Sequence, residues 1–133
     1  MRRAKDNSHV PVWYFRPDFQ HCPKCGAPLK RRATVQDKIL ITLAGRFRLI
    51  SRGYRCSRRR CPNSRALFVS PEPARLSLKG LSFGFDVIVQ IGWWRFWEHR
   101  TLDEIAALLD AKRLPVSRRH ILNLIGDFLA LLR

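Results

Sequence analysis

The hydrophobic positions change period partway along the chain. From residue 39 onward apolar and polar side chains alternate: Ile39, Ile41 and Leu43 interleave with Leu40, Thr42 and Ala44, and Arg46-Phe47-Arg48-Leu49 places charge on one strand face and apolar groups on the other. Ala44-Gly45 supplies the turn of a hairpin, and Ala66-Leu67-Phe68-Val69 reads as a third strand. Ser70-Pro71-Glu72-Pro73 then breaks the pattern, because proline fixes φ and removes an N–H donor. Beyond it the spacing becomes helical. Residues 83–99 form a segment apolar almost all round, through Phe85, Val87, Ile88, Ile91, Trp93, Trp94, Phe96 and Trp97. Thr101-Leu102-Asp103-Glu104 is a capping box opening a second helix that ends near Ala111. After the turn at Leu114-Pro115-Val116, Ser117 caps a third helix, with Ile121, Leu124, Ile125, Phe128 and Leu132 on one face.

The four cysteines pin the first half together. Cys22 and Cys25 are two residues apart in between, Cys56 and Cys61 four, and each pair fits one tight turn. Two such knuckles supply the four thiolates of a closed, structural zinc site, which leaves no open position for water. Gly26 lets the backbone fold back under the metal. Lys24, Arg55, Arg58, Arg59 and Arg60 lie within or against the knuckles and are expected to lower the thiol pKa values. Two disulfides are the competing arrangement. His21 is a further, weaker candidate ligand. The start, Met1-Arg2-Arg3-Ala4-Lys5, has no apolar secretory stretch, which points to a reducing, cytoplasmic setting. The expected fold is α+β: an arm over residues 1–20, a zinc ribbon over 21–70 (a small antiparallel sheet on a four-cysteine zinc), a linker over 71–82, and a three-helix helix-turn-helix domain over 83–133. Trp13-Tyr14-Phe15, just before the first knuckle, is expected to pack on the ribbon.

Charge adds the partner. Residues 1–70 carry 17 Lys and Arg against three acids, and residues 71–133 carry nine against seven. The first half is a polycation and the second is nearly neutral. Such a field attracts nucleic acid. Lys30, Arg31, Arg32, Arg46, Arg48, Arg52, Arg58, Arg59 and Arg60 are the expected phosphate-binding cations. In a helix-turn-helix the last helix enters the major groove with its first turns, here Ser117, Arg118, Arg119, His120 and Asn123. Arg pairs with guanine and Asn with adenine edges.

Taken in order, Cys22-Pro23-Lys24-Cys25-Gly26, the stretch from Leu43-Ala44-Gly45-Arg46 to Gly53-Tyr54-Arg55-Cys56, a second knuckle and a helix-turn-helix resemble the N-terminal region of prokaryotic insertion-sequence (DDE-type) transposases. His99-Arg100-Thr101-Leu102 and Ser117-Arg118-Arg119-His120 fall in the part that leads, in that family, into an RNase H-like catalytic domain with three acidic residues. The resemblance covers roughly residues 20–133. It implies double-stranded DNA binding in a prokaryotic, nucleoid-associated setting, through a fold held at Cys22, Cys25, Cys56 and Cys61 and through the Ser117 helix. It does not extend to strand transfer, since the chain ends at Arg133, where the catalytic domain would begin. The four-residue spacing of the second knuckle also departs from the commoner two.

No nucleophile–base pair, phosphate loop or metalloprotease motif is visible, and Asp103-Glu104 fits a helix N-terminus, so a binding protein is expected rather than an enzyme. No run of about 18 apolar residues exists to span a membrane. The alternative function is a small RNA- or ribonucleoprotein-binding subunit. In either case the Trp93/Trp94/Trp97 helix is the expected surface for a protein partner or a second copy, against the plainer reading of core packing.

Overall fold

A computed structural model describes residues 10–133; the first nine residues of the expected arm lie outside it. The described residues are α+β, with one three-stranded mixed sheet and four α-helices. It divides into two compact units. One comprises the described residues up to Leu40 and Arg46–Arg75; the other comprises Ile41–Gly45 and Leu76–Arg133.

The first unit holds β1 (Val12–Phe15), most of β2 (Leu29–Thr42) and most of β3 (Gly45–Cys56), in the order β1-β3-β2. The alternation expected around Arg46-Phe47-Arg48-Leu49 is present, with both arginines exposed and Phe47 and Leu49 buried. Ile50, Ser51 and Gly53 are buried as well, as suits the central strand. The turn falls at Leu43-Ala44, one residue earlier than expected, and Gly45 adopts φ +128° at the start of β3. β2 is an edge strand whose residues 30–35 are all exposed. Lys30, Arg31 and Arg32 are charges of the kind that discourage an exposed edge from pairing.

Two expectations are corrected here. The third strand is Val12–Phe15, running parallel to β3 with Trp13 opposite Leu49 and Tyr14 opposite Ile50. Residues 10–20 are therefore not simply an arm. Pro11 sits just outside the strand, and its carbonyl accepts from Arg48 N–H at 2.8 Å. Trp13 stacks on Phe47 with ring centres 4.6 Å apart, so the aromatic cluster does pack on the sheet. Residues 66–69 form only a single bridge, Tyr54 to Phe68. They follow directly on a 3-10 turn, Pro62–Arg65, which proline's preset φ starts. Gly53 leaves room for Leu67 to close over β3, since a Cβ there would lie 2.7 Å from that side chain.

The expected linker carries a short helix, α1 (Glu72–Leu76), at whose end the first unit gives way to the second; the second unit holds α2 (Phe85–Gly92), α3 (Leu102–Ala111) and α4 (Arg118–Leu131). Its core joins Phe83, Val87, Ile88 and Ile91 to Trp94, Ile105, Leu109, Leu114, Ile121, Leu124 and Ile125, so α4 packs on both α2 and α3. The hairpin tip belongs to this unit: Ile41 bonds Ser82 and Gly84 through its backbone, and Leu43 N–H donates to Asp86 Oδ2 at 2.9 Å. The single helix expected over 83–99 is interrupted. At Trp93–Trp97 it widens into a π turn and stops at His99, which takes φ +54°. Histidine tolerates that left-handed conformation better than branched residues do.

Gly92 faces the Phe128 ring, and a Cβ would stand 2.5 Å from it. Gly92→Ala should therefore lower stability by about 1–3 kcal/mol through overpacking, although alanine is the better helix former by about 1 kcal/mol. A thermal melt decides between the signs. The capping box is formed, with Glu104 N–H donating to Thr101 Oγ1 and Thr101 N–H to Glu104 Oε1, both at 3.2 Å. Removing it with Thr101→Ala should cost about 1 kcal/mol in the same assay.

Candidate functional site

The two knuckles converge. Gly26, with φ +73°, turns the first one back so that Gly26 N–H donates to Cys22 O and Cys22 N–H to Ala27 O. Cys56 ends β3, and Cys61 precedes the Pro62–Arg65 turn. All four Sγ atoms lie within 4.8 Å of one another. The closest approaches cross between knuckles, Cys25 to Cys56 at 3.3 Å and Cys22 to Cys61 at 3.7 Å. Four Zn–S bonds of about 2.3 Å in a tetrahedron put sulfurs about 3.8 Å apart, so the cluster fits one ion of that size. All four cysteines are free, so the two-disulfide arrangement is not formed. Three of them are buried and Cys25 is half-buried.

N–H donors pull the thiols one way, burial and the neighbouring sulfurs the other. At Cys22 burial favours the neutral thiol, but the Cys25 and Lys24 N–H groups and the Asn63 side chain outweigh it and bring the pKa down to about 6. Asn63 Nδ2 sits 3.5 Å from that sulfur. At Cys56 the Arg58 N–H favours the thiolate, yet burial and the neighbouring thiols prevail and push it up to about 12. Four sulfurs this close cannot all ionise without a cation among them, which a metal bound there would supply. The basic side chains expected to do this work are not the groups that act on Cys22. Asn63 escaped the sequence reading; the trace it left is Cys61-Pro62-Asn63, where proline at the start of a helical turn aims the next residue back at the cluster.

The expected phosphate-binding cations separate into two sets. Lys30, Arg31, Arg32, Arg46, Arg58, Arg59 and Arg60 are exposed and, among the described residues, have no carboxylate partner. Arg48 and Arg52 are engaged elsewhere. Arg48 grips Asp37 through both carboxylate oxygens at 2.8 and 2.7 Å, which holds the Asp37 carboxyl below its usual range. Arg52 lies half-buried over the Tyr14 ring, 4.6 Å from its centre.

On α4, Ser117 Oγ accepts from His120 N–H at 3.2 Å and is committed to capping. Arg118, Arg119, His120 and Asn123 are all exposed, while Ile121, Leu124 and Ile125 turn inward. Arg118 pairs with Asp103 at 3.3 Å, an exposed contact of little strength. The His120 ring meets Phe83 edge-on at 4.7 Å and is held against its own core. Arg119 and Asn123 are the free members of the set.

Of the three tryptophans in residues 93–97, Trp94 is buried (7% exposed), whereas Trp93 (48%) and Trp97 (70%) stack on each other at the surface with ring centres 5.0 Å apart. Among the described residues, no helix is long and apolar enough to cross a membrane. Comparison with known proteins finds no matching family model, no matching curated protein and no matching solved structure.

Proposed function

We propose that the chain is a sequence-preferring double-stranded DNA-binding module resembling the DNA-binding end of insertion-sequence transposases. Its carrying observation is the set of seven exposed cations, Lys30, Arg31, Arg32, Arg46, Arg58, Arg59 and Arg60, unneutralised by carboxylates among the described residues. Such a surface gains free energy on duplex DNA by releasing condensed counterions, without regard to sequence. One zinc ion held by Cys22, Cys25, Cys56 and Cys61 acts as a structural staple, fixing the loop that carries Arg58, Arg59 and Arg60 relative to the strands that carry the others. It supplies no open coordination position and takes no chemical step.

In this reading α3, the turn at 112–117 and α4 are a helix-turn-helix, and α4 is the groove-reading helix. Arg119 and Asn123 are its base readers, with Arg118 released from its weak Asp103 pair on binding. Phosphate contacts set affinity, and these few side chains set preference. Competition between duplex DNA and a folded RNA for the metal-loaded protein tests the proposal: duplex should win at moderate salt.

If RNA wins, the second reading stands, a small RNA- or ribonucleoprotein-bound subunit. The exposed Trp93–Trp97 stack favours it, because large aromatic groups left at the surface mark contact with another protein or a second copy. A Trp97→Ala variant that sediments as a smaller species than the parent would locate that contact.

A further inference from the structure

A cavity of about 260 Å³ opens in the first unit, beside the first cysteine pair, lined by Arg16, Phe19, Gln20, His21, Leu29 and Tyr54, with two prolines beside them. Its walls are fixed by the same knuckle that carries the thiols. Leu29 N–H donates to Gln20 O at 2.9 Å, His21 bridges to Pro28, and Cys22 N–H closes on Ala27 O at 2.7 Å. The two aromatic walls are both secured through Phe68. Tyr54 exchanges two backbone hydrogen bonds with it, at 2.9 and 2.8 Å, and Phe19 meets its ring edge-on at 5.4 Å. The cavity is therefore shaped before anything enters it.

Its chemistry is selective. The volume lies below the roughly 300–1,000 Å³ of drug-sized ligand sites and suits one planar ring system. Phe19 is 44% exposed, Tyr54 is half-buried, and the exposed lining groups Arg16, Gln20 and His21 offer donors and acceptors. No carboxylate lines it. An aromatic slot with a cationic rim, set in a surface that attracts phosphates, matches a nucleobase carrying its phosphate. A base inside a duplex is already stacked and paired and cannot enter.

We infer that this cavity receives the base of an unpaired nucleotide at the end of a DNA strand whose duplex part is held by the basic surface. The inference rests on the DNA-binding reading above and adds that the protein distinguishes a frayed or overhanging end from a continuous duplex. Stacking of this kind tolerates every base, because each has a π face.

The test compares three fluorescent probes on the metal-loaded protein: a blunt duplex, the same duplex with a short single-stranded overhang, and that overhang built from abasic sites. The last two carry equal charge, so their difference reports the base alone. The ordinary overhang should bind about tenfold more tightly than the abasic one, the size of one stacked base. Phe19→Ala should erase that gap while leaving blunt-duplex affinity and metal content unchanged. Gln20→Leu, at an exposed position, should narrow it, and it decides the matter if Phe19→Ala loses its metal. Equal binding of both overhangs, with the blunt duplex still bound, overturns this inference and leaves the DNA-binding reading standing. A gap that persists in folded Phe19→Ala and Gln20→Leu also overturns it. A free deoxynucleoside monophosphate that binds as tightly as the overhang would make the occupant a soluble nucleotide and overturn it as well. Failure to bind any of the probes removes both.

Discussion

Cys56→Ser is expected to release the metal and unfold the first unit, while the helical unit keeps its own cooperative melt. Around the thiols the buried cluster consists of Cys22, Ala27, Cys56 and Cys61 with Cys25 and Leu29 at its edge, so the ligands are themselves the core of that region. The sheet adds Phe47, Leu49, Ile50 and Leu40. Its edge strand β2 is exposed over residues 30–35, and a sheet with so little cover is marginal in water. Metal binding to such a site is worth on the order of 10 kcal/mol, comparable to the whole stability of an ordinary small domain. The helical unit is different, with eleven buried residues contributed by all three longer helices and the segments between them. A chelator should reproduce the Cys56→Ser result in the parent protein, and acid should do so too, since protons compete with the metal for thiolates. Loss of metal without loss of sheet structure, read by hydrogen exchange at β3, would mean that the cluster is not the organising element.

The second large effect concerns nucleic acid. Replacing Arg58, Arg59 and Arg60 together by Ala should weaken duplex binding by roughly tenfold to a thousandfold at moderate salt and flatten its salt dependence by about three phosphate contacts. The loss should be nearly the same for every sequence, because phosphates carry no sequence information. Arg119→Ala should behave in the opposite way. The salt slope should change by one contact at most, while discrimination at the contacted base falls by about 1–3 kcal/mol. Arg48→Ala is the informative contrast. Its guanidinium already holds Asp37, so it should alter the salt slope least among the sheet arginines. A uniform loss across all of these variants would show that net charge acts as a whole, with no division into phosphate and base contacts.

Much of this architecture was legible from local patterns. The two cysteine pairs declared their convergence through spacing alone. Thr101 and Glu104 announced the start of α3, and its end at Ala111 followed from the apolar face that stops there. Ser117 announced α4 in the same way. The alternation in Arg46-Phe47-Arg48-Leu49 was read correctly because each strand face meets a different medium. What failed was long-range or cumulative. The pairing of β1 with β3 joins residues more than thirty positions apart, and nothing in Val12-Trp13-Tyr14-Phe15 distinguishes a parallel edge strand from an aromatic arm. Ala66-Leu67-Phe68-Val69 suited a strand by composition, yet it pairs with β3 only through the single bridge from Phe68 to Tyr54. At Trp93–Trp97 four aromatic residues in five widen the helix, an outcome of crowding rather than of any single residue's preference. The engagement of Arg48 by Asp37 and of Arg52 by Tyr14 was hidden for the same reason: charge counts do not show which cations are already satisfied.

The most direct measurement is the affinity of the metal-loaded protein for duplex DNA across a series of salt concentrations. Seven exposed cations, each neutralising one phosphate, predict a log–log slope of about −6, lost on chelation as the first unit unfolds. A slope near zero, or one unchanged by removing the metal, would contradict a DNA-binding surface held together by the four-cysteine site.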